Sequence, residues 1–160
     1  KPVFEDGLNE PGRSEGAGPL ILMLDNIQDP GNLGTIIRCA DWFGIRQIVC
    51  NTGSADNFSP KVVQSTMASI ARVAVYYMDL PEFLVANKGL PVYAAALGGK
   101  PLNQYPVADH GILVIGNESK GISPEVMALA TDRITIPRRG KAESLNAAVA
   151  AGIILSHLVG

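Results

Sequence analysis

Metal-binding and redox-active residues are scarce in this sequence, which holds two histidines and two cysteines and no CxxC pair. That excludes a zinc finger or ribbon and a disulfide framework, and leaves Cys39 and Cys50 to be read as buried thiols with no metal implied. Charge is low as well, at 18% of residues against a typical ~25%, and nearly balanced, with 13 Lys and Arg to 15 Asp and Glu. Such a chain is not a disordered polyelectrolyte, and its surface as a whole is not a polyanion binder. Long apolar runs are absent. The stretches 20–24 and 152–155 fall far short of the ~20 residues a bilayer requires, and no basic-then-apolar leader opens the sequence, so a cytoplasmic protein is expected. Neither a helix-opening GxGxxG nor GxxxxGK[ST] occurs, which argues against NAD and ATP sites.

What is present is an apolar chain of single-domain size, 160 residues of which 47% are hydrophobic, enough to close one core. The net negative charge sits in the first 20 residues, where Lys1 and Arg13 meet Glu5, Asp6, Glu10 and Glu15; the rest of the chain is neutral. One local basic patch, Arg133, Arg138, Arg139 and Lys141, is where contact with a polyanion is expected, a solvated charge run being the plainer account. Residues 1–18 carry four glycines and two prolines without apolar periodicity. They read as a flexible tail or linker remnant, which leaves 19–160 as the folded domain.

From Leu20 onward, short apolar runs rich in β-branched residues predict strands over 20–24, 47–50, 73–77, 92–96, 111–115 and 133–136. Between most of them lies a stretch of helical period. Over 32–43, Leu33, Ile36, Ile37, Ala40 and Phe43 form one stripe, with Thr35, Arg38 and Trp42 turned away from it. Helices are expected over 57–67, 80–87 and 124–130, where Pro60, Pro81 and Pro124 suit first turns. A last helix follows a cap at Ser144 or Asn146, with Leu145, Val149, Ile153, Ile154 and Leu158 on its apolar face. This alternation predicts a three-layer α/β domain, a mainly parallel sheet with helices on both faces, whose ligands bind beyond the carboxyl ends of the strands.

Three loops in those positions hold the unusual residues. Read singly they are ordinary: Pro30-Gly31 makes a turn, Asn32 a cap, and Ser123 a cap before Pro124. That account leaves Asn26 and Arg38 unexplained in the first loop, Glu118 in the second, and one of Ser144 and Asn146 in the third. In the third, Arg138, Arg139 and Lys141 beside a helix start suit an anionic partner such as a phosphodiester. His110 and His157 lie outside all three.

In this order and spacing the loops read N-x-x-x-P-x-N-x-G-x-x-x-R at 26–38, G-x-E-x-x-G at 116–121 and I-P-x-x-G-x-x-x-S-L-N at 136–146. Together they resemble the three motifs of the SpoU (TrmH) RNA methyltransferases of the SPOUT class, over about residue 20 to the C-terminus. The resemblance implies a C-terminal deep trefoil knot, where topology rules alone predict an unknotted doubly wound sheet. It also implies a homodimer that uses S-adenosylmethionine to methylate a ribose 2′-hydroxyl of RNA, with base methylation left open. rRNA is preferred over tRNA on the likeness of 59–75 to rRNA-modifying relatives. By motif position it implies a catalytic set of Arg38, Asn32, Glu118, Ser144 and Asn146. Cofactor contacts, mostly main-chain, would come from Leu97, Gly98, Gly116, Ile136, Leu145 and Asn146, and RNA contacts from Arg38, Arg138, Arg139 and Lys141.

Arg38 would take the 2′-proton or, still protonated, clamp the target phosphate; a guanidinium pKa above ~12 makes the first role physically demanding. Trp42, on the face of Arg38, would belong to the dimer interface. Ala147 stands where the family usually has valine. Many relatives carry an N-terminal RNA-recognition domain, and 1–18 are too short for one, so the chain reads as a catalytic fragment or a minimal member. The rival reading is a non-catalytic α/β module that binds RNA or a nucleotide.

Overall fold

The computed structural model describes residues 20–66, 68–108 and 110–160; the expected tail over 1–18 lies outside them. One six-stranded sheet contains β1 (Leu20–Asp25), β2 (Gln47–Cys50), β3 (Ala74–Tyr77), β4 (Val92–Pro101), β5 (Gly111–Gly116) and β6 (Asp132–Thr135). Their order is β3-β2-β1-β5-β4-β6, and each of these pairings is parallel. The helices are α1 (Pro30–Trp42), α2 (Pro60–Thr66), α3 (Leu80–Ala86), α4 (Pro124–Met127) and α5 (Ala147–Val159). α2 is shorter than the periodicity suggests and begins at Pro60 itself, a residue suited to a first turn because its missing N–H would be unpaired there anyway.

Every residue of β1 is buried because both faces of the sheet are covered. Alternate side chains enter opposite cores. Leu20, Leu22 and Leu24 pack with Leu33, Ile36, Ile37 and Ala40 of α1 and with Ala151, Ile154, Leu155 and Leu158 of α5. Ile21 and Met23 pack with Leu80, Phe83 and Leu84 of α3 and Val126 of α4. The three layers of the sequence reading follow directly from this split.

β4 departs most from expectation, running to Pro101. Ala95 and Lys100 both align with Ile134 of β6, so 96–99 leave the ladder as a bulge and return to it. Cys50 is buried, its thiol pushed up to about 12 by burial, and the half-buried Cys39 is raised by the same cause; neither is an activated nucleophile. Among the described residues no helix is long and apolar enough to cross a membrane.

Asp41, near the end of α1, accepts from Ser69 Oγ at 2.7 Å and from Arg72 Nη2 at 2.7 Å, tying the helix to the 3₁₀ turn Ser69–Ala71. These hydrogen bonds, Arg72's first, hold the Asp41 carboxyl below the ordinary carboxylate range. A depressed folded pKa gives stabilisation that is present above the ordinary value and lost as pH falls through the folded one. Asp41→Asn is therefore expected to lower Tm at neutral pH, with the gap to wild type closing in acid, as thermal unfolding over a pH series would show. The effect is modest because the Arg72 side chain is 61% exposed.

Candidate active site

β1 leads into α1 on one face of the sheet while β5, its neighbour, leads into α4 on the other. Their loops diverge at this switch point, the arrangement that opens a ligand crevice in parallel sheets. Asn32, in the first turn of α1, is buried there although polar. Its Nδ2 donates to Glu118 Oε1 at 3.1 Å, and its Oδ1 accepts from Asn146 Nδ2 at 2.8 Å. Asn146 Oδ1 in turn accepts from the N–H groups of Ala148 at 2.9 Å and Val149 at 3.2 Å, capping α5. Asn146, not Ser144, is thus the cap; Ser144 is exposed, and among the described residues no hydrogen bond joins it to this cluster.

The loop carrying Glu118 is held from within and from outside. The N–H and C=O of Asn117 exchange hydrogen bonds with those of Gly121, both at 3.0 Å, and Asn117 Oδ1 accepts from the N–H groups of Ser119 and Lys120. Asn117 Nδ2 donates to the carbonyl of Asn26 at 2.8 Å, bracing this loop on the one after β1. Gly116 allows the turn: a Cβ there would lie 2.4 Å from the carbonyl carbon of Gly121.

Gly116 and Ile136 stand at the carboxyl ends of β5 and β6, and the 96–99 bulge lies within β4, the strand between them in the sheet. Thr135 Oγ1 donates to the Ala96 carbonyl and accepts from Gly99 N–H, both at 2.6 Å, which fixes the bulge. Nothing about a lone threonine in a strand marks it for this part beforehand. Leu97 is 68% exposed and Ile136 half-buried, so apolar groups line this edge without a covering layer; Leu145, 49% exposed, directly precedes the cap of α5. Gly98 has φ +74° with open space where a Cβ would be.

Arg38 lies on the outer face of α1 with Thr35 and Trp42, which is 83% exposed. Arg138, Arg139 and Lys141 are likewise exposed, and Arg138 Nη1 donates to the Ala142 carbonyl within their own loop. The fold therefore gathers Asn32, Glu118 and Asn146, and leaves Arg38, Ser144 and the basic residues on the surface.

Removing the Asn146 side chain deprives α5 of its cap, typically ~1 kcal/mol, and leaves Asn32 Oδ1 without its donor, a further ~1–3 kcal/mol where the group is buried. Asn146→Ala should lower Tm by both amounts; Asn146→Ser keeps a side-chain cap acceptor and should recover the capping part, as thermal denaturation of the two would show.

Residues 19–156 match the model of the SpoU rRNA Methylase family. The 23S rRNA (guanosine(2553)-2′-O)-methyltransferase RlmP of Bacillus subtilis is 38% identical over 143 residues, covering 88% of this chain and 58% of RlmP. A TrmH-family structure from Porphyromonas gingivalis superposes with TM-score 0.83 at 48% identity, over 92% of this chain and 62% of that one. The SpoU methyltransferase AviRb from Streptomyces viridochromogenes, solved with AdoMet, gives 0.81 at 30% identity, over 89% and 60%. This chain thus spans about three-fifths of the length of these relatives. On the family match over 19–156, and with the three motif loops meeting at the sheet's switch point, the chain belongs to the SpoU rRNA methylase family.

Proposed function

We propose that residues 19–160 are the catalytic domain of an RNA methyltransferase that uses S-adenosylmethionine to methylate a ribose 2′-hydroxyl, on rRNA in preference to tRNA, in the cytoplasm. The observation that carries this reading is the Asn32–Glu118–Asn146 cluster beside an apolar, glycine-lined edge at the ends of β5 and β6 and the bulge of β4 between them. The residues there fit an adenosyl group: exposed Leu97 and Leu145 and half-buried Ile136 offer apolar surface, and the open left-handed turn at Gly98 leaves main-chain groups free to approach. Leu97, Gly98, Gly116, Ile136, Leu145 and Asn146 would hold the cofactor, which when bound supplies an electrophilic methyl group. Asn32, Glu118 and Asn146 orient the incoming hydroxyl and one another, Ser144 meets the hydroxyl from the exposed loop, and the bound cofactor and RNA together would exclude water from the exposed edge. Arg138, Arg139 and Lys141 take RNA phosphates.

Arg38 removes the 2′-proton or grips the target phosphate. It lies on the outer face of α1 rather than on its own chain's cluster, which supports a homodimer that packs this face, Trp42 included, against the partner's cluster. Trp42→Glu is expected to yield monomers with transfer lost, as sedimentation and activity measured together would show. The return of α5 to pack on α1, after β6 at the sheet's edge, supports a deep trefoil knot formed by the C-terminal segment.

Calorimetric titration with S-adenosylmethionine and S-adenosylhomocysteine, with ATP and NAD as controls, tests the reading. Micromolar binding of the adenosyl-sulfur ligands alone, one per chain, is expected; no binding by the folded protein overturns the methyltransferase in favour of a non-catalytic module.

A further inference from the structure

The carboxylate ending β1 is almost fully buried, at 2% exposure, and none of the three motif contacts uses it. Asp25 Oδ1 accepts from Asn51 Nδ2 at 3.1 Å and Oδ2 from the Ser123 N–H at 2.7 Å. Neither donor can turn into an acceptor. Ser123 offers a backbone N–H, and the Asn51 amide is oriented by its own oxygen, which already accepts from Asn26 N–H at 3.0 Å and Ser54 Oγ at 2.9 Å. The position between them therefore requires two acceptors, which a carboxylate provides and an amide does not.

Its two partners open in opposite directions. Asn51 and Ser54 belong to the segment after β2, and Ser54 Oγ also accepts from Ile27 N–H at 3.1 Å, so this side holds the loop that leads to Asn32. Ser123 closes the Gly116–Gly121 loop just before α4, and its hydroxyl makes no cap hydrogen bond. Asp25 is thus a clasp between the loop that presents Asn32 and the loop that presents Glu118, 3.1 Å apart at their side chains.

We propose that Asp25 is a positioning residue for the active site: its two accepted hydrogen bonds set the Glu118 loop against Asn32 and hold Gly116 in the geometry that receives the adenosyl group. This rests on the methyl-transfer reading above. Two substitutions break the same bond from opposite sides. Asp25→Ala removes both acceptors, the one on the Ser123 N–H included. Ser123→Pro removes that N–H, along with a hydroxyl that makes no cap hydrogen bond, at a residue whose φ of −61° and ψ of 150° proline already favours.

Each variant is expected to weaken S-adenosylhomocysteine binding about tenfold and to speed amide exchange at Lys120 and Gly121 within the loop. Because both delete the Asp25–Ser123 bond, the double variant should bind no worse than the weaker single one. Faster exchange with affinity unchanged would make Asp25 a structural residue only, and unchanged exchange would show no clasp; either overturns the proposal. Additive losses in the double variant overturn it too. A wild-type chain that binds no S-adenosylhomocysteine fails earlier and removes the methyl-transfer reading itself, whereas losses confined to the variants bear on Asp25 alone.

Discussion

Arg38→Ala is expected to reduce methyl transfer by a hundredfold or more while leaving S-adenosylhomocysteine affinity within about twofold of wild type. The split follows from position. Arg38 is exposed on the outer face of α1 and makes no part of the apolar edge assigned to the cofactor, so its loss leaves that edge intact. As base or as phosphate clamp, the guanidinium acts on the substrate only, and both roles vanish in alanine. The two differ in Arg38→Lys, since an ammonium still attracts a phosphate but lacks the planar fork, and in the pH–rate profile, which follows a titration only if Arg38 gives up a proton.

A mixing experiment goes further. If Arg38 serves the partner's cluster, inactive Arg38→Ala and Asn32→Ala chains combined as mixed dimers regain transfer, because one of the two sites then has both residues intact. If Arg38 serves its own chain, every site lacks one residue and the mixture stays inactive.

Gly116→Ala should be nearly as damaging by an unrelated route. The added Cβ would lie 2.4 Å from the carbonyl carbon of Gly121 and 2.5 Å from the nitrogen of Ile122, both main-chain atoms that cannot rotate aside. The loop must shift as a body, carrying Glu118 from Asn32 and opening the cofactor edge. Overpacking of this kind costs ~1–3 kcal/mol, which for a domain of this size lowers Tm by roughly 2–4 °C per kcal/mol. S-adenosylhomocysteine affinity should fall more than tenfold, as calorimetry would measure. Gly121→Ala is the control. Its φ of +70° is unfavourable for alanine, yet nothing lies within 4 Å of the added carbon, so the cost is conformational, about 1 kcal/mol, and binding should survive with a smaller loss.

The sequence by itself determined the layers and the face α1 turns to the core, but not that of α5. There Val149 and Ile153, expected on the apolar face with Leu145, are exposed, and Ala147, Ala148, Ala151 and Leu155 are buried beside Ile154 and Leu158. Period-two and period-3.6 patterns are local, and Leu33, Ile36, Ile37 and Ala40 lie on the buried stripe where their spacing puts them, with Arg38 and Trp42 outside it. The three motif loops were legible for the same reason: each is a short run of residues whose turn and cap chemistry leaves a remainder unexplained.

What the loops do to one another was decided only by tertiary structure. Asn32 meets Glu118 across 86 positions, Asn146 across 114, and Asp25 meets Ser123 across 98. Those meetings depend on β1 and β5 lying side by side in register, which the order of strands sets and no local pattern encodes. The choice of Asn146 over Ser144 as cap, the bulge that frees 96–99 from the ladder with β6, and the double-acceptor role of Asp25 are of the same kind. The cap bonds from Ala148 and Val149 to Asn146 are themselves local, but the contact with Asn32 that accompanies them, and the bonds of the bulge and of Asp25, join donors and acceptors that become neighbours only when the sheet has formed, so that energy belongs to the assembled fold and not to any segment of the chain.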